Sequence, residues 1–192
     1  AYNTLTGGTC LEDIELRRND EAFMDGVGVE RIPDPTTAGD FTRRFSEWNV
    51  VELMEAINSI RPKLWKKRLR RSERKEAIID ADGTHALTCG ECKEGIGLSY
   101  DGDWCYHPLL ISLANTAEPL YLVNRSGNCV SHDGAVAWLD RAIALVRQSF
   151  KRVCLRGDTD FALTGHFDRW SAKGVSFAFG MDAMPNLVKI AE

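Results

Sequence analysis

The sequence has 192 residues, of which 44% are hydrophobic and 27% are charged, with a formal net charge of −4 at pH 7. This composition is typical of a globular protein and excludes an intrinsically disordered chain. No apolar run reaches the roughly 18–20 residues that a membrane span requires, so we expect no membrane contact. The six cysteines are far fewer than a disulfide-stapled secreted domain of this length would carry, which favours reduced thiols and a cytoplasmic location.

Residues 1–76 have the pattern of a small helical region. A first helix is predicted over 11–24, and another is predicted to begin with Thr36 or Thr37 as its N-cap. Over 50–60, apolar residues recur every three or four positions and predict a helix with one buried face. That apolar face consists of Val50, Leu53, Met54, Ile57 and Ile60.

Positive charge is concentrated in the segment 61–75, which holds nine of the 24 basic residues and a single acid, Glu73. The rest of the chain carries 15 basic and 27 acidic residues, so its own balance is acidic. We interpret this segment as a helix that contacts phosphates, with a solvated helix face or an exposed connection as alternatives, and expect Trp65 to pack on the core. The residues expected to contact DNA are Lys63, Lys66, Lys67, Arg68, Arg70 and Arg71.

From Ala77 onward, short apolar runs alternate with glycines and aspartates. Strands are predicted over 77–82, 95–100, 106–114, 120–124, 152–158 and 175–180, and helices over 134–150 and 161–173. The segment Asp101-Gly-Asp103 is a hairpin signal between two of these strands. Hairpin-connected strands followed by strand–helix alternation predict an α/β domain over 77–192, with a mixed sheet flanked by helices.

Two aspartates, Asp82 and Asp158, each stand at the C-terminal end of a predicted central strand. If the strands are neighbours, both carboxylates emerge at one sheet edge, where ligands of such sheets bind. Close carboxylates repel each other unless a cation lies between them, which predicts a site for Mg²⁺ or Mn²⁺; turn formation is the alternative. Strand alternation places Asp80 on the same face as Asp82, as a further candidate ligand or partner of one. Asp160 is expected to cap the helix beginning near Phe161.

A second group of candidate metal ligands lies between these aspartates. Cys89 and Cys92 have the spacing of a zinc half-site, and Cys105 and His107 follow where a second half-site could lie. The one-residue separation of that second pair fits a strand better than a chelating knuckle, so we favour buried or incidental cysteines. We interpret His107 as a hydrogen-bonded structural histidine and His85 as a loop residue close to Asp82.

The motif Leu155-Arg-Gly-Asp158-Thr-Asp-Phe161 resembles the second-aspartate motif of DDE transposases from bacterial insertion sequences. The segment Asp80-Ala-Asp82-Gly-Thr84 resembles the first-aspartate motif of the same family. The similarity spans nearly the whole chain, since central and N-terminal blocks of the family are matched in the same order. These blocks begin at Leu5, Pro33, Trp104 and Asn124.

The resemblance implies an RNase H-like core in which Asp82 and Asp158 are catalytic metal ligands. It implies metal-dependent cleavage and strand transfer of double-stranded DNA at insertion-sequence ends and targets, by a homo-oligomer when full length, in the bacterial nucleoid. The family's third acidic ligand, a glutamate, is expected beyond this sequence, because Glu192 lacks the surrounding motif. We therefore expect the chain alone to bind metal weakly and not to catalyse transposition. The alternatives are a non-catalytic DNA-binding or inhibitory fragment, an RNase H-like nuclease and a zinc-stabilised interaction module.

Overall fold

The computed structural model describes residues 2–89 and 93–191. They form two compact units, one up to residue 53 and one from residue 54 onward. No helix within the described ranges is both long and apolar enough to cross a membrane. The helices up to the start of the second unit are α1 (Tyr2–Leu5), α2 (Ile14–Arg18), α3 (Glu21–Val27), α4 (Pro35–Thr42) and α5 (Glu47–Arg68), the last of which continues past residue 53.

Short polar caps define the helices near the start of the chain. The single helix predicted over 11–24 is divided into α2 and α3, because the Asp20 carboxylate caps a new helix start. The N-cap of α4 is Asp34, so the predicted caps Thr36 and Thr37 are wrong. The Asp34 carboxylate accepts hydrogen bonds from both the backbone N–H and the hydroxyl of Thr37, each at 2.8 Å, which holds the pKa of Asp34 below its ordinary value.

The long helix α5 includes most of the basic segment, but it buries a different face from the one predicted. Its buried residues are Asn58, Pro62 and Trp65. The Asn58 side-chain amide donates to the Leu120 carbonyl at 2.9 Å, and the Trp65 ring meets the Phe150 ring edge-on at 5.6 Å between centroids. The expected core position of Trp65 is confirmed. The prediction of burial was wrong for Val50, Leu53, Ile57 and Ile60, which are exposed.

The second unit contains two sheets and three further helices. A five-stranded sheet has the order β6-β5-β1-β7-β8, in which β1, β7 and β8 run parallel and β5 runs antiparallel to both of its neighbours. This confirms the predicted mixed sheet with flanking helices. The strands are β1 (Glu76–Gly83), β2 (Ala86–Leu87), β3 (Gly97–Leu98), β4 (Trp104–Tyr106), β5 (Leu109–Leu113), β6 (Glu118–Val123), β7 (Arg152–Gly157) and β8 (Val175–Phe179). The helices are α6 (Ala135–Val146), α7 (Phe167–Ala172) and α8 (Pro185–Ala191).

Two predicted elements are interrupted. The strand predicted over 106–114 is divided at His107 and Pro108, so that β4 belongs to a small sheet of order β2-β4-β3 and β5 to the large sheet. Pro108 has no N–H for a strand ladder, which explains the break. The helix predicted over 161–173 is reduced to α7, preceded by two short 3₁₀ turns. The predicted hairpin is confirmed, since β3 and β4 pair antiparallel across 101–103.

The main core lies on one face of the large sheet, where α6 packs. In β1 the side chains of Ala77, Ile79 and Ala81 are buried, whereas the alternate residues point to the other face. Helix α6 contacts β1, β5 and β6, and its apolar residues join the same core cluster. The polar residues of β1 therefore lie on the face opposite to α6, and this places both Asp80 and Asp82 away from the core.

Candidate active site

The two aspartates singled out in the sequence lie at the same end of adjacent parallel strands. The register of β1 and β7 pairs Asp80 with Arg156. Asp82 lies two residues further along β1, and Asp158 is the first residue after β7. The strands are still close at this end, because a Cβ atom built on Gly157 would lie 3.3 Å from the Ala81 carbonyl oxygen. Because neighbouring strands are about 4.8 Å apart, Asp82 and Asp158 extend from the same end of two adjacent strands.

Both aspartates also belong to the same face of the sheet. Ala81 and Leu155 are buried in the core, whereas Asp82 and Arg156 are exposed. Strand alternation assigns Asp158 to the face of Arg156, and Asp158 is exposed as well. Two exposed carboxylates on one face and at one edge can hold a hard cation that keeps part of its water shell.

Asp80 lies on this face but already has a partner. The Arg156 guanidinium donates from Nε to one Asp80 carboxylate oxygen at 2.7 Å and from Nη2 to the other at 2.8 Å. These hydrogen bonds raise the pKa of Arg156 above its ordinary value. Because Arg156 occupies both oxygens of the Asp80 carboxylate, Asp80 orients the Arg156 guanidinium and is not free to bind a metal ion in this arrangement.

Each aspartate has a glycine next to it, because other residues lie very close to the backbone at these positions. A Cβ atom on Gly83, which follows Asp82, would lie 2.6 Å from Nε2 of His107. A Cβ atom on Gly157, which precedes Asp158, would lie 2.9 Å from Cβ of Phe161. Both contacts are shorter than ordinary packing allows. Larger residues than glycine would therefore clash with their neighbours at these two positions.

His107 is buried beside the first aspartate. Its Nδ1 lies 2.8 Å from the Cys129 carbonyl oxygen, and since a carbonyl only accepts, Nδ1 carries the proton. Nε2 then faces Gly83. The His85 ring lies 4.6 Å from the His107 ring between centroids, and it is half-buried rather than fully solvated. These contacts agree with a structural role for His107.

A loop after β6 contacts the turn that begins at the second aspartate. The Asp158 carboxylate accepts a hydrogen bond from the Asp160 backbone N–H at 3.0 Å and thereby caps a 3₁₀ turn, a role that we expected for Asp160. The Asp160 carboxylate instead accepts from the Ser131 hydroxyl at 2.7 Å. Arg125 fixes the loop by donating to the carbonyls of His107 and Ser131, and burial lowers the pKa of Arg125.

An open cleft of about 480 Å³ lies next to Asp158. Its lining includes the side chains of His132, Thr159, Asp160 and His166. Sequence patterns gave no sign of this cleft, because its two histidines come from separate loops and neither belongs to a recognisable motif. It places polar groups beside the second aspartate, on the accessible side of the edge.

The basic segment lies at the other end of the large sheet. All six residues that we expected to contact DNA are exposed. The remaining arginines of the segment have structural partners: Arg61 pairs with Glu118, and Arg74 donates to the carbonyls of Leu69 and Ser149. Because the segment leads directly into β1, it is separated from Asp82 by the length of that strand.

The zinc half-site is not assembled within the described part of the chain. Cys92 lies outside the described residues, Cys89 is exposed and Cys105 is buried. Over residues 2–89 and 93–191, no group of three or more histidine, cysteine, aspartate or glutamate side chains is arranged to hold a metal ion. A metal ion at Asp82 and Asp158 would therefore have two ligands from this part of the protein.

Comparison with protein families identifies the family of this chain. The profile of the family described as "Transposase DDE domain group 1" matches residues 1–192. No match was found among curated proteins or solved structures. The matched range includes both aspartates, the basic segment and the whole five-stranded sheet.

Proposed function

Because the chain belongs to the group 1 family of transposase DDE domains, we propose that it forms part of a transposase that cleaves and joins double-stranded DNA at insertion-sequence ends. The mixed sheet with flanking helices is compatible with an RNase H-like DDE domain. We further propose that residues 77–192 carry the catalytic core and that residues 1–76 contribute DNA contacts through the basic segment. The full-length protein would act as a homo-oligomer in the bacterial nucleoid.

The single observation that supports this proposal is that Asp82 and Asp158 are both exposed at the same end of the adjacent parallel strands β1 and β7. Mg²⁺ or Mn²⁺ fits this donor set, because both ions accept carboxylate oxygens and can keep waters and substrate phosphates as further ligands. When bound, such an ion would supply Lewis-acid polarisation of a phosphodiester oxygen and a water or hydroxyl of lowered pKa. We assign the catalytic role to these two carboxylates.

The protein's own contribution is to position the two carboxylates and leave them accessible. Gly83 and Gly157 allow the backbone to approach its neighbours closely, and the Asp160 N–H orients the Asp158 carboxylate. The pair formed by Arg156 and Asp80 keeps a guanidinium on the same face, where it can attract a phosphate. With two ligands the site is incomplete, and a third acidic ligand from outside this pair is required for full activity.

Metal binding tests the assignment directly. Titration of the chain with Mn²⁺, followed by the loss of the free-ion paramagnetic resonance signal, should show weak binding that D82N and D158N each lower by about tenfold or more. D25N provides a matched control, because Asp25 is exposed on α3 and carries the same charge. Equal Mn²⁺ binding by wild type, D82N and D158N would overturn the assignment.

Two rival functions give different results. An inhibitory fragment would bind duplex DNA and show the same Mn²⁺ binding in wild type, D82N and D158N. An RNase H-like nuclease would cleave DNA by itself, without joining strands, and lose that cleavage in D82N. Transposase function instead requires both the metal site and joined products once the third ligand is supplied.

A further inference from the structure

An exposed apolar stripe runs along the long helix α5. Its five members follow one another at intervals of three, four, three and four residues, and their exposed fractions range from 45% to 61%. The face of α5 that is buried is a different one, since it consists of Asn58, Pro62 and Trp65. We call the exposed residues the α5 stripe, and they are Val50, Leu53, Ile57, Ile60 and Leu64.

The spacing of the α5 stripe is that of a helix that packs against a second helix. Alternating intervals of three and four residues are the a and d positions of a heptad repeat, whose side chains insert between those of a partner helix. With 22 residues, α5 is about 33 Å long, so the stripe extends over most of its length. A contiguous exposed apolar patch of this kind marks an interaction surface.

The charges of α5 are divided between its two halves. Residues 47–55 carry three acids and no basic residue, whereas residues 61–68 carry five basic residues and no acid. A second α5 helix lying antiparallel would place the acidic half of each helix beside the basic half of the other. A parallel copy would oppose like charges at both ends. The occupant that complements this helix is therefore another copy of the same helix in the opposite orientation.

Full overlap of two antiparallel α5 helices also brings the apolar residues level with one another. In such a pair the a positions of one helix share layers with the d positions of the other. Leu53 would lie level with Leu64 of the partner subunit, and Ile57 with Ile60 of the partner subunit. Each of these layers occurs twice because the arrangement is two-fold symmetric.

The same overlap pairs opposite charges beside the apolar layers. Glu47 would lie level with Arg68 of the partner subunit, and Glu52 with Lys63 of the partner subunit. All four side chains are exposed, and over residues 2–89 and 93–191 none of them forms an ion pair. Exposed ion pairs each contribute little affinity, so these charges mainly decide the orientation of the two helices.

We propose that α5 is a self-association surface, on which a second copy of this chain docks its own α5 in antiparallel orientation. The proposal identifies an interface for the homo-oligomer of the proposed function, and it rests on that part of the proposed function alone. Because the same patch is used on both subunits, the assembly closes as a dimer. The acids in the first half of α5 disfavour an anionic membrane, which is another common ligand of a basic apolar helix.

Sedimentation velocity of the 192-residue chain from about 5 to 200 μM tests this interface. The wild type should change from monomer towards dimer over this range. I57Q/I60Q removes the two central residues of the α5 stripe and should raise the dimer Kd by at least about thirtyfold. L87Q/V130Q is the matched control, because it removes two exposed aliphatic side chains elsewhere in the second unit. The control should associate like the wild type.

Charge reversal tests the orientation of the two helices. E47K/E52K would place like charges at both ends of an antiparallel pair and should raise the dimer Kd by about tenfold at low salt. E47K/E52K/K63E/R68E restores opposite charges and should return the Kd to near the wild-type value. In a parallel pair E47K/E52K only exchanges one like-charge contact for another, so an unchanged Kd would overturn the antiparallel arrangement.

The outcomes separate this proposal from the metal assignment. A wild type that stays monomeric, or a folded I57Q/I60Q that dimerises like the wild type, overturns the interface, whereas the metal assignment stands if D82N loses Mn²⁺ binding. Unchanged Mn²⁺ binding in D82N, together with a monomeric I57Q/I60Q, overturns the metal assignment and leaves the interface intact. Binding of a monomeric wild type to anionic phospholipid vesicles, lost in I57Q/I60Q, would assign the α5 stripe to a membrane and overturn self-association.

Discussion

The two ends of the same strands carry opposite chemistry. Parallel pairing of β1 and β7 brings Lys75 beside Lys151 at one end, and Asp82 and Asp158 lie at the other end. Each aspartate lies seven residues after its lysine. Between these ends alternate side chains of β1 are buried in the core, and the intervening ones lie on the opposite face, where Asp80 pairs with Arg156. One register therefore fixes both a candidate metal site and a pair of lysines.

The largest expected effect comes from a cavity in the core beside β1, the strand that joins the two ends. Ile79 is fully buried at the centre of β1, whereas its neighbour Ile78 lies half-buried on the opposite face. I79A should lower the free energy of unfolding by about 2–5 kcal/mol, because it leaves a cavity in the core. I78A is the matched control and should cost less than half as much. Urea denaturation measures both, and equal losses would contradict the assignment of the two faces.

The next largest effect concerns the acidic end of the sheet, which is the end of β1 and β7 where Asp82 and Asp158 lie. A methyl group on Gly157 would meet Cβ of Phe161 at 2.9 Å, so G157A should lower the free energy of unfolding by about 1–3 kcal/mol and weaken Mn²⁺ binding. G165A is the control, since a Cβ atom on Gly165 has no neighbour within 4 Å. Duplex binding through the basic segment should be unchanged in both variants under native conditions. Normal Mn²⁺ binding by G157A would show that the edge tolerates displacement of Asp158.

Much of the sheet could be predicted from the sequence, because strand alternation and strand-end aspartates are local patterns. The β1 and β7 predictions are confirmed within one or two residues of their ends. On the buried face of α5 only Trp65 was predicted, since an apolar stripe competes there with Asn58 and Pro62 and tertiary partners decide between them. Propensity and periodicity do not include those partners.

Lys151 illustrates the same limit away from the core. It is an isolated basic residue in the sequence, and only the pairing of β1 with β7 brings it beside Lys75. The role of Asp80 was equally inaccessible, because its partner Arg156 lies 76 residues away along the chain. Contacts between residues that lie far apart in the sequence depend on the strand register and cannot be predicted from local patterns.

The smallest expected effect comes from changing the number of carboxylates that are free to bind a metal ion at the acidic end. R156Q should release Asp80, which lies on the same face as Asp82, and allow it to serve as a third ligand. We expect Mn²⁺ affinity to rise by about tenfold, because affinity at such sites increases with the number of charged oxygen ligands. The loss of stability should be small, since the Arg156 side chain is 55% exposed and its ion pair is screened by solvent. Calorimetric titration with Mn²⁺ measures the change.

The double variant D80N/R156Q separates this explanation from a general electrostatic one. If the released carboxylate binds the ion, the double variant returns to wild-type affinity, because the amide that replaces the Asp80 carboxylate supplies no charge. If the gain arises only from removing a nearby positive charge, D80N/R156Q keeps a higher affinity than D80N alone. Weaker binding by R156Q would instead mean that Arg156 positions the strand ends for the metal, and that the pair with Asp80 belongs to the architecture of the acidic end.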